Sequence, residues 1–416
     1  MTRQLYDIAI VGGGMVGASL AVALAPLGVE VVLVEAIPHD SASQPSFDER
    51  TTALSNGSRR ILDALGVWRD VEAASTPIRK IHVSDQGRFG FARIDAAEQG
   101  LPAMGYVLPN RVLGAALWAR LAATPNVRVH CPAKVLGLTA GEDSVELEVA
   151  ETSRGPAEPR IMLQARLVVA ADGVQSAVRD AFGVDAKSRD YGQTAVITTV
   201  LPQRFHDHVA YERFTDSGPL ALLPLDGGRC ALVLTLDEAA AGAAMRWSEP
   251  EFLAEVQRRF GFRLGRFLKV GRRAQYPLAL TQAERLSKGR CVIVGNAAQG
   301  LHPVAGMGFN LGLRDMACLA EIIAEHRREP HFDAGAAALL TEYDAWRAAD
   351  RRGVIAFTDG LVRMFASPLR LARGLRSVGL LAFDLMPQAK AALSRLSTGA
   401  IAGARVPKLA RGVGLQ

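Results

Sequence analysis

Apolar and polar positions along the chain follow two different periods, and the changes between them mark the elements. Residues 7–11 are a short continuous apolar run, the pattern of a strand buried on both faces. An Ala/Leu-rich stretch over 15–27 predicts a helix, and 31–35 repeats the buried-strand pattern, ending on Glu35. These three segments predict a β-α-β unit. Helices are also expected over about 55–65 and 110–122, and a hairpin over 81–94 turning at Asp85, Gln86 and Gly87. Three β runs follow near 127–137, 144–150 and 161–170.

From about 190 to 280 the pattern becomes strand-rich, with strands over 194–200, 209–214, 220–225 and 229–236 and one interrupting helix at about 249–260. Residues 291–295 predict another buried strand, followed by a Gly-rich turn, a helix over about 308–327 and helical sequence from about 340 onward. No internal repeat is present, and 151–160 reads as a loop. The expected fold is α/β, with a Rossmann-like nucleotide-binding domain built discontinuously from 1–75, 100–183 and 276–345. An inserted antiparallel β-sheet domain (76–99 and 184–275) would cover the substrate, and 346–416 would form a C-terminal basic helical region.

Composition narrows the class. Of 416 residues, 49% are hydrophobic, enough for a large core, and 22% are charged, as in ordinary globular proteins. No apolar run reaches the roughly 18 residues of a membrane-spanning helix, so a soluble or peripheral protein is expected. The N-terminal stretch superficially imitates a secretory signal, but Asp7 and the Gly12–Gly14 cluster interrupt it. Cys131, Cys230, Cys291 and Cys318 are widely separated and lack zinc-ligand spacing, so reduced structural thiols, a cytoplasmic setting and no metal site are expected. Net charge is +6, yet residues from Arg351 on carry eleven Lys and Arg against Asp359 and Asp384. That tail is +9, leaving −3 for the rest.

Three motifs carry chemistry. Gly12, Gly14 and Gly17 lie between the first strand and the first helix in GxGxxG spacing. Gly12 permits a tight turn, Gly14 lets backbone approach a pyrophosphate, and Gly17 lets helix and strand pack closely. The helix N-terminus favours an anion. Glu35 stands where a carboxylate can accept bonds from both ribose hydroxyls of an adenosine and repel a 2′-phosphate. FAD and NAD both satisfy this motif. The second motif, 168–179, puts Asp172 and Gly173 at a strand end, followed by Ser176 and Arg179 entering a helix. The third, 291–315, runs from Gly295 and Asn296 through Gln299, His302, Pro303, Gly306, Gly308, Phe309 and Asn310. Its glycines let backbone lie against a flat ring.

The three motifs in this order resemble the class A flavoprotein aromatic hydroxylases, whose fold is of the para-hydroxybenzoate hydroxylase type. Within that group the chain looks most similar to the ubiquinone-biosynthesis hydroxylases that act on polyprenyl methoxyphenols. The resemblance covers nearly the whole chain and implies FAD as cofactor. It further implies NAD(P)H as a transient co-substrate, O2, and a polyprenylphenol hydroxylated through a flavin C4a-hydroperoxide. It places Arg50 near the pyrophosphate and ribose, makes Arg111 a second flavin-contacting arginine, and gives Asp172 and Gly173 a part in FAD and NADPH binding. Arg179 would hold that loop. The resemblance also carries two departures, Asn296 where an Asp is usual and Gln299 where a His is usual. Asn still offers an acceptor.

Some readings stay open. His302 is the candidate for assisting ionisation of the phenol, against a structural role. Tyr191 and Tyr211 either line the pocket or pack the sheet, and 220–225 is expected to supply an apolar wall. The basic stretch over about 354–396 is either a helix at an anionic inner-membrane surface or a packed helical unit. No nucleic acid partner is expected. Other quinone-biosynthesis enzymes and a homo-oligomer remain candidate partners. The alternative functions are an NAD-linked dehydrogenase and a non-hydroxylating flavoprotein or scaffold subunit.

Overall fold

The computed structural model describes residues 4–38, 41, 50–88, 90–152, 160–301, 306–366 and 405–415. The chain opens with β1 (Leu5–Val11), α1 (Met15–Leu24), β2 (Val31–Val34), β3 (Thr51–Ser55), α2 (Asn56–Ala64) and α3 (Trp68–Val71). It continues with β4 (Thr76–Ile78), β5 (Lys80–Asp85), β6 (Phe91–Asp95), β7 (Gly105–Pro109), α4 (Asn110–Ala122), β8 (Val127–His130), β9 (Ala133–Ala140), β10 (Val145–Glu151) and β11 (Arg160–Ala170). After α5 (Ala177–Ala181) come β12 (Ala186–Pro202), β13 (Val209–Thr215), β14 (Gly218–Pro224), β15 (Cys230–Asp237), α6 (Glu238–Arg246), α7 (Glu249–Phe260), β16 (Phe267–Val270) and β17 (Ala274–Ala283). Last are β18 (Ser287–Lys288), β19 (Cys291–Ile293), β20 (Gln299–Gly300), α8 (Met307–His326) and α9 (Ala337–Ala366).

Among the described residues the strands form three sheets. The first, with order β18-β19-β11-β1-β2-β8, has parallel pairs at its centre, and β10 and β9 extend it from β11. Its central strands are buried on both faces: all four residues of β2 are at most 1% exposed. Eight of the ten residues of α1 are buried, and the helix packs against both α8 and α4. An all-round apolar helix is what such a sandwiched position requires.

The second sheet has order β20-β17-β12-β15-β14-β13-β5-β6, with β16 on β12. It is antiparallel except for β13 and β5, which run parallel. Hairpin β5–β6 therefore joins the edge of the strand-rich region. One face lies under α6 and α7, where Val196, Leu220, Leu222, Leu232 and Leu234 pack on Phe252, Val256 and Phe260. A small third sheet, β3-β7-β4, packs on the opposite face through Ala53, Ile78 and Val107 against Ala210, Leu223 and Ala231.

Several expected boundaries move. β17 belongs to the second sheet, so the strand-rich unit runs to Ala283, not 275. The 345/346 boundary falls inside α9, a single helix. The inserted region holds two helices, since α6, capped by Asp237 accepting from the Ala240 N–H at 2.8 Å, precedes the expected one. Among the described residues no helix is long and apolar enough to cross a membrane. All four thiols are free, and burial pushes those of Cys230 and Cys318 up to about 12.

Candidate functional site

The three motifs, far apart in sequence, meet around the first turn of α1. Gly12 has φ of 107°, a conformation glycine alone adopts freely, and a Cβ there would stand 2.4 Å from the Ala171 carbonyl oxygen. The first motif thus lies directly against the strand end that leads to Asp172. A Cβ on Gly17 would sit 1.9 Å from the Gly12 carbonyl oxygen, so the helix rests on the turn with no side chain between them. The third motif closes on the same helix: a Cβ on Gly312 would stand 2.9 Å from Val16 Cγ2 and 3.1 Å from Gly295 Cα. Gly14 takes the N-cap position, which leaves the first N–H groups of α1 available to an anion.

Glu35 is 7% exposed at the end of β2. One carboxylate oxygen accepts from the Gly13 N–H at 2.5 Å and the other from the Ile37 N–H at 2.8 Å, and Trp118 Nε1 donates to the Gly13 carbonyl at 3.2 Å. The carboxylate expected to meet a ribose therefore also pins the glycine turn. Each oxygen keeps a second lone pair.

Asp172 accepts from the Val178 N–H at 3.1 Å through Oδ2, while Oδ1 is buried without a hydrogen-bond partner. Burial pushes its carboxyl above the usual range despite bonds from Ser176, Val178 and Ala177. An orphaned buried acceptor beside a helix N-terminus is a place for a ligand hydroxyl. Gly173 has φ of 90°. Arg179, 5% exposed, donates to the carbonyls of Val174 at 3.1 Å and Ala297 at 3.2 Å and pairs with Asp180. It ties the second motif to the third.

In the third motif Gly295 has φ of 61° and donates its N–H to Asp315 Oδ2 at 3.1 Å, whereas Asn296 is exposed. Gly306 caps α8 in the left-handed region, φ 59°. Asn310 is 2% exposed and fully used: it accepts from the Ser55 N–H and Ser58 Oγ and donates to the carbonyls of Ala53 and Gly306. It fastens the start of α8 to β3 and α2. Phe309 packs partly buried against the main core. No described atom lies within 4 Å of a Cβ built on Gly308, so that first turn borders open space. Arg50 precedes β3 and lies over the Tyr276 ring of β17 at 5.0 Å. Arg111 is exposed in the first turn of α4. His302 lies outside the described residues.

The chain also holds a buried polar network that sequence patterns did not mark. Asp315, 0% exposed, accepts from Gly295 N–H and from Gln299 Nε2 at 2.7 Å, and pairs with Arg347 at 2.7 Å. Arg347 and Arg314 both pair with Asp350, at 2.6 and 2.8 Å. Arg351 donates to Gln299 Oε1 at 3.1 Å. The residue standing where the resemblance expects a His is thus a buried link between α8 and α9. A charged residue inside an apolar helix was the available signal. Part of the basic tail is likewise packed: Arg405 pairs with Glu321, Glu325 and Glu342 and lies over Trp346 at 4.0 Å. Most of 354–396 falls outside the described residues.

Comparison with known proteins agrees with this geometry. Residues 5–358 match the FAD binding domain family. The chain belongs to that family. The cofactor is FAD, and the protein is an FAD-dependent monooxygenase. It is 38% identical to the ubiquinone hydroxylase UbiL of Rhodospirillum rubrum over 99% of this chain and 94% of that one. It is 33% identical to the 3-demethoxyubiquinol 3-hydroxylase of Escherichia coli over 92% of this chain and 96% of that one. The fold matches p-nitrophenol 4-monooxygenase PnpA from Pseudomonas putida, with TM-score 0.77 and 20% identity over 94% of this chain and 97% of that one. The dehydrogenase alternative ends here, because the family match spans all three motifs.

Proposed function

We propose that the protein hydroxylates a polyprenylated phenol of ubiquinone biosynthesis. Phenol, O2, NAD(P)H and a proton would give the hydroxylated phenol, NAD(P)+ and water. The observation that carries this reading is the second sheet: the face not covered by α6 and α7 turns apolar side chains toward the three-stranded sheet that α8 is fastened to. Leu223 packs on the three-stranded sheet, which leaves half-buried Ala221 as the wall, while Leu220 and Leu222 face the opposite core, as does Tyr211 against Phe260 at 5.3 Å. Each CH2 of a prenyl tail buried on such a wall contributes about 0.8 kcal/mol.

FAD, when bound, takes hydride from the nicotinamide and activates O2. The chain holds it in place. Gly12 would set the turn, its own N–H being held by the Val34 carbonyl at 2.8 Å, while Gly14, Gly17 and the first turn of α1 would face the pyrophosphate. Arg50 and Arg111 are brought together by the bond from the Asn110 N–H to the Arg50 carbonyl at 2.9 Å, and Glu35 would accept from a ribose. Asp172 Oδ1 accepts from a hydroxyl, with Gly173 and Arg179 shaping its loop. Gly295 and Asn296 would border the ribityl chain, and Gly306, Gly308, Phe309 and Asn310 would set the turn against the ring. His302, the candidate that the sequence offered for ionising the phenol, lies outside the described residues. The basic tail would meet an anionic inner-membrane surface, where a polyprenylated substrate resides.

Two measurements test this. Supplied with 18O2, NAD(P)H and 2-farnesylphenol, the purified protein is expected to put one labelled oxygen into the ring. Reduced nicotinamide consumed without label in product would favour the non-hydroxylating alternative. Gly308→Ala tests the ring cradle separately. Alanine in an open helical position stabilises the apoprotein by up to about 1 kcal/mol, whereas a methyl aimed at the ring weakens FAD binding. A variant with both unchanged melting and unchanged FAD affinity would remove Gly308 from the cradle.

A further inference from the structure

We infer that Glu212 is the base that takes the proton of the substrate's phenolic hydroxyl, an inference that rests on the phenol reading above. Glu212 sits at the middle of β13, opposite Ala221 of β14 and Val83 of β5, and Ala221 in turn lies opposite Val233 of β15, which faces Ile197 of β12. Side chains alternate along strands, so these five residues share one face and one row. All five are half-buried, while the alternate positions Val196, Thr198, Leu220, Leu222, Leu232, Leu234 and Tyr211 are buried under α6 and α7. The row is a half-buried apolar strip with a single carboxyl, second of the five in strand order.

That carboxyl has no hydrogen-bond or ion-pair partner among the described residues. Desolvation alone pushes it up to about 7 from its ordinary value of 4.5. Ala210, two residues away on the same face, is buried against the small sheet, so the Glu212 carboxyl stands at the edge of that seam. The adjoining row toward β3 and β7 is closed, with Ala210 and Ala231 buried against Val107 and Ile78. The row on the other side carries Tyr276, beneath Arg50. The strip therefore adjoins both the small sheet that holds α8 and the arginine beside it.

Charged groups on the neighbouring elements are engaged elsewhere. Asp85, at the end of β5, lies 3.7 Å from Arg88, and Asp359 of α9 pairs with Arg189 at 2.8 Å and meets Tyr191 at 3.3 Å. Lys80 and Asp95 pair across β5 and β6, and Arg213, on the other face of β13, donates to the Arg259 carbonyl. Among the described residues, no other charged side chain stands in this row.

A base that titrates near neutrality suits general-base catalysis. The phenol O–H bond breaks and an O–H bond forms on Glu212, leaving a phenolate whose ring carbon is more nucleophilic. After oxygen enters the ring, the ring-carbon proton passes to water as aromaticity returns. The Glu212 proton then passes to the product phenolate, which regenerates the carboxylate.

The test compares FAD-loaded wild type, Glu212→Gln and Glu212→Asp with 2-farnesylphenol. Without reductant, the ultraviolet phenolate band of the bound phenol is followed against pH. The wild type is expected to show phenolate appearing well below the free phenol's pKa of about 10, and Glu212→Gln to lose that shift. With NAD(P)H and 18O2, Glu212→Gln should form labelled product about 100-fold more slowly at pH near 7 and recover toward pH 10, the size expected for a lost general base. Glu212→Asp should retain the shifted ionisation. Because a raised carboxyl pKa costs stability as pH rises from 4.5 to about 7, Glu212→Gln should also melt higher than wild type above that window. A Glu212→Gln enzyme with the wild-type ionisation band and pH profile would overturn the assignment while leaving the phenol reading intact. A wild type that incorporates no label would overturn the phenol reading, and the bound-phenol band would still decide Glu212.

Discussion

Replacing Arg347 by methionine is expected to destabilise the protein by about 3–5 kcal/mol, the usual cost of removing one partner from a buried ion pair. Asp315 is 0% exposed and Asp350 5% exposed, and both pair with Arg347. The variant leaves one carboxylate short of charge and the other dependent on Arg314 alone. Burial pushes Asp350 up, but Arg314 and Arg347 more than offset that and hold its carboxyl below the usual range. A depressed folded pKa contributes stability above the unfolded value, and the contribution disappears as pH falls through the folded one. The stability gap between wild type and Arg347→Met should therefore be widest near neutrality and narrow in acid. Urea unfolding from pH 7 down to the acid limb would measure it, and a constant gap would show that charge pairing is not its source. Asp315 also holds the Gly295 N–H, so FAD affinity should fall along with stability.

The second large effect is expected at Gly17. An alanine Cβ would stand 1.9 Å from the Gly12 carbonyl oxygen and 3.1 Å from its carbon. Normal carbon–oxygen contact is above about 3 Å, and both groups are backbone, so α1 must move off β1. Gly17→Ala should be purified colourless or fail to fold. Gly28→Ala is the control, because its φ of 73° carries a local cost but nothing lies within 4 Å of the new Cβ. A yellow Gly17→Ala protein melting with the wild type would refute close packing as the reason for that glycine.

Local pattern revealed the elements whose causes are local. The apolar runs of β1 and β2, the helix over 110–122 and the helix over 249–260 are where their residues predicted. The glycines were legible because a missing side chain is visible in sequence, even though the atoms they approach are about 160 residues away, as with Gly12 and Ala171. Features set by distant pairing were not legible. β17 alternates weakly because its residues lie half-buried at the junction of two units. The parallel β13–β5 pair joins segments whose spacing carries no signal. α6 was hidden by an Ala/Gly run lacking a polar–apolar period. Asn310 illustrates a different limit. Its position near the expected turn was readable, but its side chain serves Ser55, Ser58, Ala53 and Gly306, and no local rule reports such distant partners. Glu212 gave no signal at all, since one acid in a strand reads as a solvated face.

The two-residue repeat of β12 to β15 divides the labour of the second sheet. Odd positions of β12 and β15, such as Ile197 and Val233, serve the open strip, while their even neighbours support the core beneath α6 and α7. If the strip receives the prenyl tail as proposed, a saturation scan along these strands should show two interleaved phenotypes: damage to folding at one residue, altered tail-length preference at the next. Substrate range in this chain can thus drift by single substitutions without taxing the scaffold, because the residues that choose the guest are not the ones that hold up the house.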